Sequence, residues 1–190
     1  MLSRMKYIGR WGLMRCLRTE TLSEHTLETA MLTHALIAIG RARFGCALDE
    51  GRGVLYALYH DCGEILTGDL PTPIKYHDPG IRAAYQAIER QAGERLLGML
   101  PGELQGSFRP YLTEGGDSAA YRPYVKAADK LSALIKCEEE LAGGNREFQS
   151  AREAILRSEA LSLPEAQVFL REYLPAYTLT LDEVEGGARV

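Results

Sequence analysis

The chain has 190 residues, 46% of them hydrophobic and 25% charged, which is the balance of one globular domain with a sizeable core. Its formal net charge of −4 argues against a general nucleic-acid binder, which carries excess Lys and Arg, but leaves small anionic ligands open. No apolar stretch reaches the roughly 18 residues needed to cross a bilayer, so neither a nucleic-acid polymer nor a membrane is an expected partner.

The N-terminal segment MLSRMKYIGRWGLMRCLR is Arg-rich and has no acidic residue before Glu20. Transit peptides share that bias, whereas the lack of an apolar core and of a small-residue cleavage site speaks against a secretory signal. Residues 21–40 follow as a helix opened by Thr21 and Glu24 at capping-box spacing, with a stripe of Leu27, Ala30, Met31, Ala35 and Ala38. Asp49 caps a predicted helix over 50–66, with Val54, Leu55, Leu58, Ile65 and Leu66 facing inward. Asp78 and Pro79 open the next, over 79–100, whose stripe is Ile81, Ala84, Tyr85, Ile88, Ala92, Leu96 and Met99, and Pro101 stops it. A helix over 124–142 ends at Gly143-Gly144-Asn145, and two more are predicted at about 146–161 and 165–174. The alternating YTLTL at 177–181 is a lone run. Cys16, Cys46, Cys62 and Cys137 form no CxxC pair and are placed within helical segments, as free thiols of a reducing, cytoplasmic setting. The expectation is all-α: a single helical bundle over 1–190, without repeats or a long linker.

Three stretches hold residues that chemistry would use: Ser23-Glu24-His25, His60-Asp61 and Asp129. His60-Asp61 lies between Leu55-Tyr56-Ala57-Leu58-Tyr59 and Ile65-Leu66, so a carboxylate is set into an apolar helix. Burying it unpaired costs several kcal/mol or shifts its pKa, and coordination of a metal removes that cost. Asp129, between Ala127-Ala128 and Leu131, poses the same question. Two imidazoles and two carboxylates suit a divalent ion such as Co²⁺, Mn²⁺, Zn²⁺ or Fe²⁺. Hydrogen-bonded caps and salt bridges, such as Asp129 with Lys126 or Lys130, account for the same residues equally well at this point. His34 follows His25 by roughly 13 Å of helical rise on the opposite side, so the two cannot share an ion. It falls on the apolar stripe and reads as a core histidine, and His77 reads as a loop residue. Glu64, at i+4 from His60 and i+3 from Asp61, shares their face.

The order H…HD…D on successive helices resembles the HD-domain phosphohydrolase superfamily. The stretches RWGLMRCLRTETLSEHT, YHDCGEILTGDLPTPIKY and VKAADKLSALIKCEEELAGGNREF resemble the bacterial 5′-deoxynucleotidases within it, over about residues 7–150, with the C-terminal helices at 146–176 packed on that unit. The family has a proline where Gly12 stands and alanine-serine where Cys62-Gly63 stand. The resemblance implies an HD-domain bundle holding one divalent ion on His25, His60, Asp61 and Asp129. It implies Glu64 and Asp69 as proton-transfer groups and Arg10 as the residue that orients the phosphate. It places Trp11 at the deoxyribose and Leu70, Pro71 and Thr72 against the substrate, with His25, Asp61 and Asp129 beside it. The implied activity is hydrolysis of a deoxyribonucleoside monophosphate by a cytoplasmic homodimer. Competing expectations are a hydrolase of cyclic nucleotides, triphosphates or alarmones, a non-catalytic ligand-sensing module, and an iron-dependent oxygenase. The last would need ligands for a second ion that the other histidines are poorly placed to supply.

Overall fold

The computed structural model describes residues 1–71, 78–113 and 117–185. Their helices are α1 (Leu22–Arg43), α2 (Glu50–Tyr59), α3 (Glu64–Thr67), α4 (Pro79–Gly98), α5 (Gly102–Leu112), α6 (Ser118–Ala142), α7 (Gln149–Leu156), α8 (Pro164–Glu172) and α9 (Leu181–Glu185). Short 3-10 turns cover Leu2–Tyr7, Arg146–Phe148, Glu159–Ser162 and Leu174–Thr178. No strand occurs among the described residues, as the helical periodicity predicts; one isolated bridge pairs Gly9 with Thr21.

Helix α1 starts as its sequence dictates. The Thr21 hydroxyl accepts the Glu24 N–H at 3.3 Å, and the Glu24 carboxylate accepts the Thr21 N–H at 2.7 Å. The helix then runs through the middle of the bundle. Ala30 and Ile37 pack with Tyr56 and Ala57 of α2 and Tyr121 and Val125 of α6. Leu32, Leu36 and Ile39 pack with Leu131 and Ile135 of α6 and with Val168 and Phe169 of α8. Burial on two sides changes which residues face solvent. Leu27 and Met31, expected in the core, are 57% and 59% exposed. His34 is a surface residue too, with Nε2 3.7 Å from Glu50 Oε2, not the core histidine expected. The buried arc includes Thr26, Thr29 and Thr33, which an apolar count passes over.

Other elements depart from expectation for local reasons. Leu55 is exposed because Gly53, Tyr56 and Ala57 form the buried face of α2. In α4, Tyr85, Ala92 and Leu96 are buried, whereas Ile81, Ala84, Ile88 and Met99 are exposed, the first half of that helix bordering an open cavity. The helix predicted over 146–161 is split by 3-10 turns on both sides of α7, and YTLTL crosses from the last 3-10 turn into α9. Cys16, Cys46 and Cys62 lie outside helices, only Cys137 inside one, and all four are free.

The predicted helix over 50–66 is interrupted. At His60, Cys62, Glu64, Ile65 and Leu66 the backbone N–H bonds run to the third residue back, as in Cys62 N–H to Tyr59 O at 3.2 Å, Glu64 N–H to Asp61 O at 2.9 Å and Leu66 N–H to Gly63 O at 3.0 Å. These are the i→i−3 bonds of a tightened turn, which separates α2 from α3. Gly68, with φ 74°, ends α3 in a region closed to most side chains and returns its N–H to Glu64 O at 2.7 Å.

A buried ion pair fastens the N-terminal segment to α6. The Lys136 ammonium donates to the Glu140 carboxylate at 2.5 Å and to the Arg18 carbonyl at 2.6 Å. Glu140 also accepts the Leu17 N–H at 2.8 Å and the Asn145 amide at 2.8 Å. Burial pushes the Glu140 carboxyl up, but these donors hold it down at about 2 against an ordinary 4.5. A depressed carboxyl stabilises the fold fully above its unfolded value and loses that effect as pH falls through its folded one. Glu140→Gln should therefore lower the urea midpoint most above about pH 4.5, with the gap from wild type closing as pH falls towards 2. Equal midpoints at neutral pH would contradict this account.

Candidate active site

His25 sits in the first turns of α1, where the capping box fixes the helix start. His60 and Asp61 come from the turn between α2 and α3, and Asp129 from the middle of α6. The fold brings them together. His25 Nε2 lies 3.2 Å from Asp129 Oδ1 and 3.6 Å from Asp61 Oδ2, and His60 Nε2 lies 3.0 Å from Asp61 Oδ2. One donor atom from each of His25, His60 and Asp61 falls within 4.8 Å of the others.

The ring nitrogens are disposed as ligands. His60 Nδ1 donates to the Ala57 carbonyl at 2.6 Å, which leaves Nε2 facing the cluster. That nitrogen is buried and has no hydrogen-bond partner, because its close approach to Asp61 is not aligned as a hydrogen bond. Burial pushes both imidazoles down. At His60 the Asp61 and Asp129 carboxylates override it and lift the group to about 9. At His25 burial prevails, with Arg10 and His60 opposing the pull of Asp129. Burial pushes Asp61 up and His60 and His25 pull it down to about 2, while His25 and Lys130 hold Asp129 well below the ordinary carboxylate range. A buried cluster that draws in positive charge through an unbonded ring nitrogen fits a divalent cation.

The loop before α1 closes over this cluster through Arg10 N–H to Glu20 O at 2.9 Å and Leu22 N–H to Ile8 O at 2.9 Å. Glu20, which sequence reasoning missed, is the buried hub of that loop. Its carboxylate accepts the Trp11 indole N–H at 2.7 Å and Arg10 Nε–H at 3.3 Å, and stands 4.0 Å from His25 Nδ1. Trp11 has φ 61°, the only positive value for a non-glycine among the described residues, and its ring lies 5.2 Å from Phe148. Arg10 reaches within 3.9 Å of Asp61. Burial pushes its guanidinium down, but Glu20, then Asp129, Asp61 and Asp69, raise it above its ordinary value.

A cavity of about 690 Å³ opens beside the cluster, with His60, Asp61, Glu64 and Asp129 on its wall. Glu64 is buried at the start of α3, with its backbone N–H bonded to the Asp61 carbonyl at 2.9 Å. Tyr56, Tyr59, Tyr85 and Tyr111 supply aromatic wall, and Arg82, Arg90, Arg122 and Lys126 supply charge. Of those cations only Lys126 was placed near a metal residue from sequence, although Arg122, Lys126 and Asp129 have the i, i+4, i+7 spacing of one face. Asp69, Leu70 and Pro71 are half-buried, and Thr72 and His77 lie outside the described residues. The family departures are sterically mild: a Cβ at Gly12 meets nothing within 4 Å, and one at Gly63 meets Ala92 Cβ at 3.5 Å, an ordinary contact.

The 5′-deoxynucleotidase YfbR-like family profile matches residues 1–177. The chain belongs to this family. It is 46% identical over 184 residues to a 5′-deoxynucleotidase of Yersinia pestis (strain Pestoides F), covering 96% of this chain and 93% of that protein. Its fold resembles an HD-domain phosphohydrolase from Listeria innocua, with TM-score 0.80, 23% identity and coverage of 97% and 89% of the two chains. It also resembles the cyanophage S-2L HD phosphohydrolase bound to dA and one catalytic Zn²⁺, with TM-score 0.56, 19% identity and coverage of 92% and 95%. The all-α bundle is thus the HD-domain fold, and the protein is a hydrolase of that class.

Trp11 is the only tryptophan, so its emission reports on the Glu20 hub directly. Glu20→Ala should shift that emission as the indole loses its charged acceptor, and should lower stability by about 2 kcal/mol. An unchanged spectrum would show that Glu20 does not hold the ring.

Proposed function

We propose that this protein removes the 5′-phosphate from deoxyribonucleoside monophosphates, releasing deoxynucleoside and inorganic phosphate. The observation that carries the reading is the meeting of two imidazoles and two carboxylates at the wall of a polar cavity, beside a buried Glu64. The Yersinia relative, a 5′-deoxynucleotidase, supports the substrate class. The dA and Zn²⁺ bound to the cyanophage neighbour support a deoxynucleoside and a divalent ion.

His25, His60, Asp61 and Asp129 are the residues that would hold the ion, which is Co²⁺, Mn²⁺, Zn²⁺ or Fe²⁺. When bound, it supplies Lewis acidity, placing positive charge against phosphate oxygens and acidifying water at the site. The chain's own groups do the rest. Arg10, held by Glu20 and aimed at Asp61, offers its remaining N–H groups to the phosphate as a planar fork. Trp11, braced by Phe148 and Glu20, forms the rigid apolar wall for the deoxyribose. Leu70, Pro71 and Thr72 extend the substrate contact. Water attacks phosphorus, the bond from phosphorus to the 5′-oxygen breaks, and that oxygen takes up a proton. Glu64 and Asp69 are the carboxyl groups that orient the water and manage those protons.

A nucleoside triphosphate is the second reading, because Arg82, Arg90, Arg122 and Lys126 border the cavity where further phosphates would extend. The resemblance also implies a cytoplasmic homodimer, which sedimentation of the purified protein checks for its oligomeric part. No helix among the described residues is long and apolar enough to cross a membrane.

The deciding experiment measures phosphate release with Co²⁺ or Mn²⁺ across deoxy- and ribonucleoside mono- and triphosphates. Deoxyribonucleoside monophosphates should turn over well above the rest; equal rates on ribonucleotides would overturn the sugar assignment, and faster triphosphates the phosphate one. Glu64→Ala should keep metal binding and lower kcat roughly 10²- to 10⁴-fold. Undiminished turnover would remove Glu64 from the chemistry.

A further inference from the structure

Behind the cluster, on the side away from the cavity wall, His25 makes a second contact that neither its sequence setting nor the ligand geometry requires. Its Nδ1 lies 3.0 Å from Ser132 Oγ of α6. Ser132 is fully buried, and its hydroxyl is 2.5 Å from Glu28 Oε2 of α1, where the ionised carboxylate is an acceptor only. A serine hydroxyl has one hydrogen. Spent on Glu28, it leaves Ser132 Oγ only lone pairs to show His25, so Nδ1 must carry the ring hydrogen. The unprotonated Nε2 then points at Asp61 and Asp129, as a metal ligand must. The opposite tautomer would set two lone pairs against each other at Nδ1 while aiming an N–H at Asp129 Oδ1, 3.2 Å away in the place of the ion, and the Glu28–Ser132 pair is what opposes that pull. His60 obtains the same result more simply, by donating Nδ1–H to its own helix at Ala57.

We infer that Glu28 and Ser132 are positioning residues for metal binding: together they hold His25 in the Nδ1–H tautomer and so keep Nε2 available to the ion. The inference rests on the metal reading above, but not on the substrate. Removing a partner of this kind from a metal-bound histidine typically weakens metal affinity 10- to 100-fold. The two substitutions act differently on the ring. Glu28→Ala frees the Ser132 hydrogen to point at Nδ1 and should turn the ring over to Nε2–H. Ser132→Ala removes the acceptor altogether and should leave a mixture.

The test is ¹H–¹⁵N correlation of histidine-labelled, metal-free protein at pH 8, with the His25 ring assigned by its loss in His25→Gln, alongside chelator competition for Co²⁺. Wild type should show the Nδ1–H pattern, Glu28→Ala the Nε2–H pattern, and both Glu28→Ala and Ser132→Ala should bind Co²⁺ at least about tenfold more weakly. Glu28 is only partly buried, so its variant folds even where the buried Ser132→Ala does not. A bond that merely staples α1 to α6 would lower the melting temperature and leave the ring pattern and Co²⁺ affinity of Glu28→Ala as in wild type; that outcome overturns the inference. An Nε2–H ring in wild type overturns it as well, and absence of Co²⁺ binding by wild type overturns the metal reading with it. The expected ring patterns and affinity losses in a protein that releases no phosphate from deoxyribonucleoside monophosphates would uphold the relay and remove only the substrate.

Discussion

The structure turns on gathering like charges at the half-buried wall of a cavity. Asp61 and Asp129 approach the same imidazole, His25 Nε2, at 3.6 and 3.2 Å, inside a bundle whose nearby α6 residues Ala127, Ala128 and Leu131 are wholly buried. Two carboxylates so placed repel each other and lose hydration, and only positive charge between them makes the arrangement tolerable. The bundle is built to hold that arrangement rather than to avoid it. The capping box sets the start of α1 and hence the height of His25, and the α1–α6 core fixes the opposite wall. The Lys136–Glu140 network ties down the segment that brings Arg10.

The change of helical ladder at His60 is the second constraint. Between α2 and α3 the bonds run to the third residue back, and the Glu64 N–H is tied to the Asp61 carbonyl at 2.9 Å, which keeps the two carboxylates one turn apart. His60 uses the same tightened turn, since the carbonyl three residues back accepts its Nδ1–H. The same turn thereby fixes the tautomer of one ligand and carries its neighbour Asp61 and the nearby Glu64.

What the sequence discloses follows the length of the interaction. The Thr21–Glu24 box and the glycine stop after α6 were legible because both partners lie within a few residues. The ligands were legible as misfits, charged groups in apolar surroundings, and the resemblance sharpened what the misfits left ambiguous. The hub at Glu20 and the Glu28–Ser132–His25 relay were not. Ser132 is 107 residues from His25 and 104 from Glu28, and no local pattern announces a pairing at that separation. The misassigned faces of α1 have a related cause. Periodicity finds one apolar stripe, whereas a helix buried on two sides fills much of its arc with threonine and alanine, leaving Leu27 and Met31 outside.

The sign of the site's field is where these strands join. Glu20, Asp61, Asp69 and Asp129 all act on Arg10, and Glu64 lies on the same cavity wall as two of them. Around Arg10 itself the carboxylates outnumber the cations, with Arg82, Arg90, Arg122 and Lys126 set further along the cavity wall. Arg10 cannot reverse that sign alone, because its strongest partner, Glu20, already takes its Nε–H at 3.3 Å. A dication on His25, His60, Asp61 and Asp129 would cancel the two aspartates and restore Arg10 as a net attraction. The two aspartates are therefore not an obstacle to phosphate chemistry: the ion they would hold turns the side of the site nearest Arg10 towards an anionic substrate.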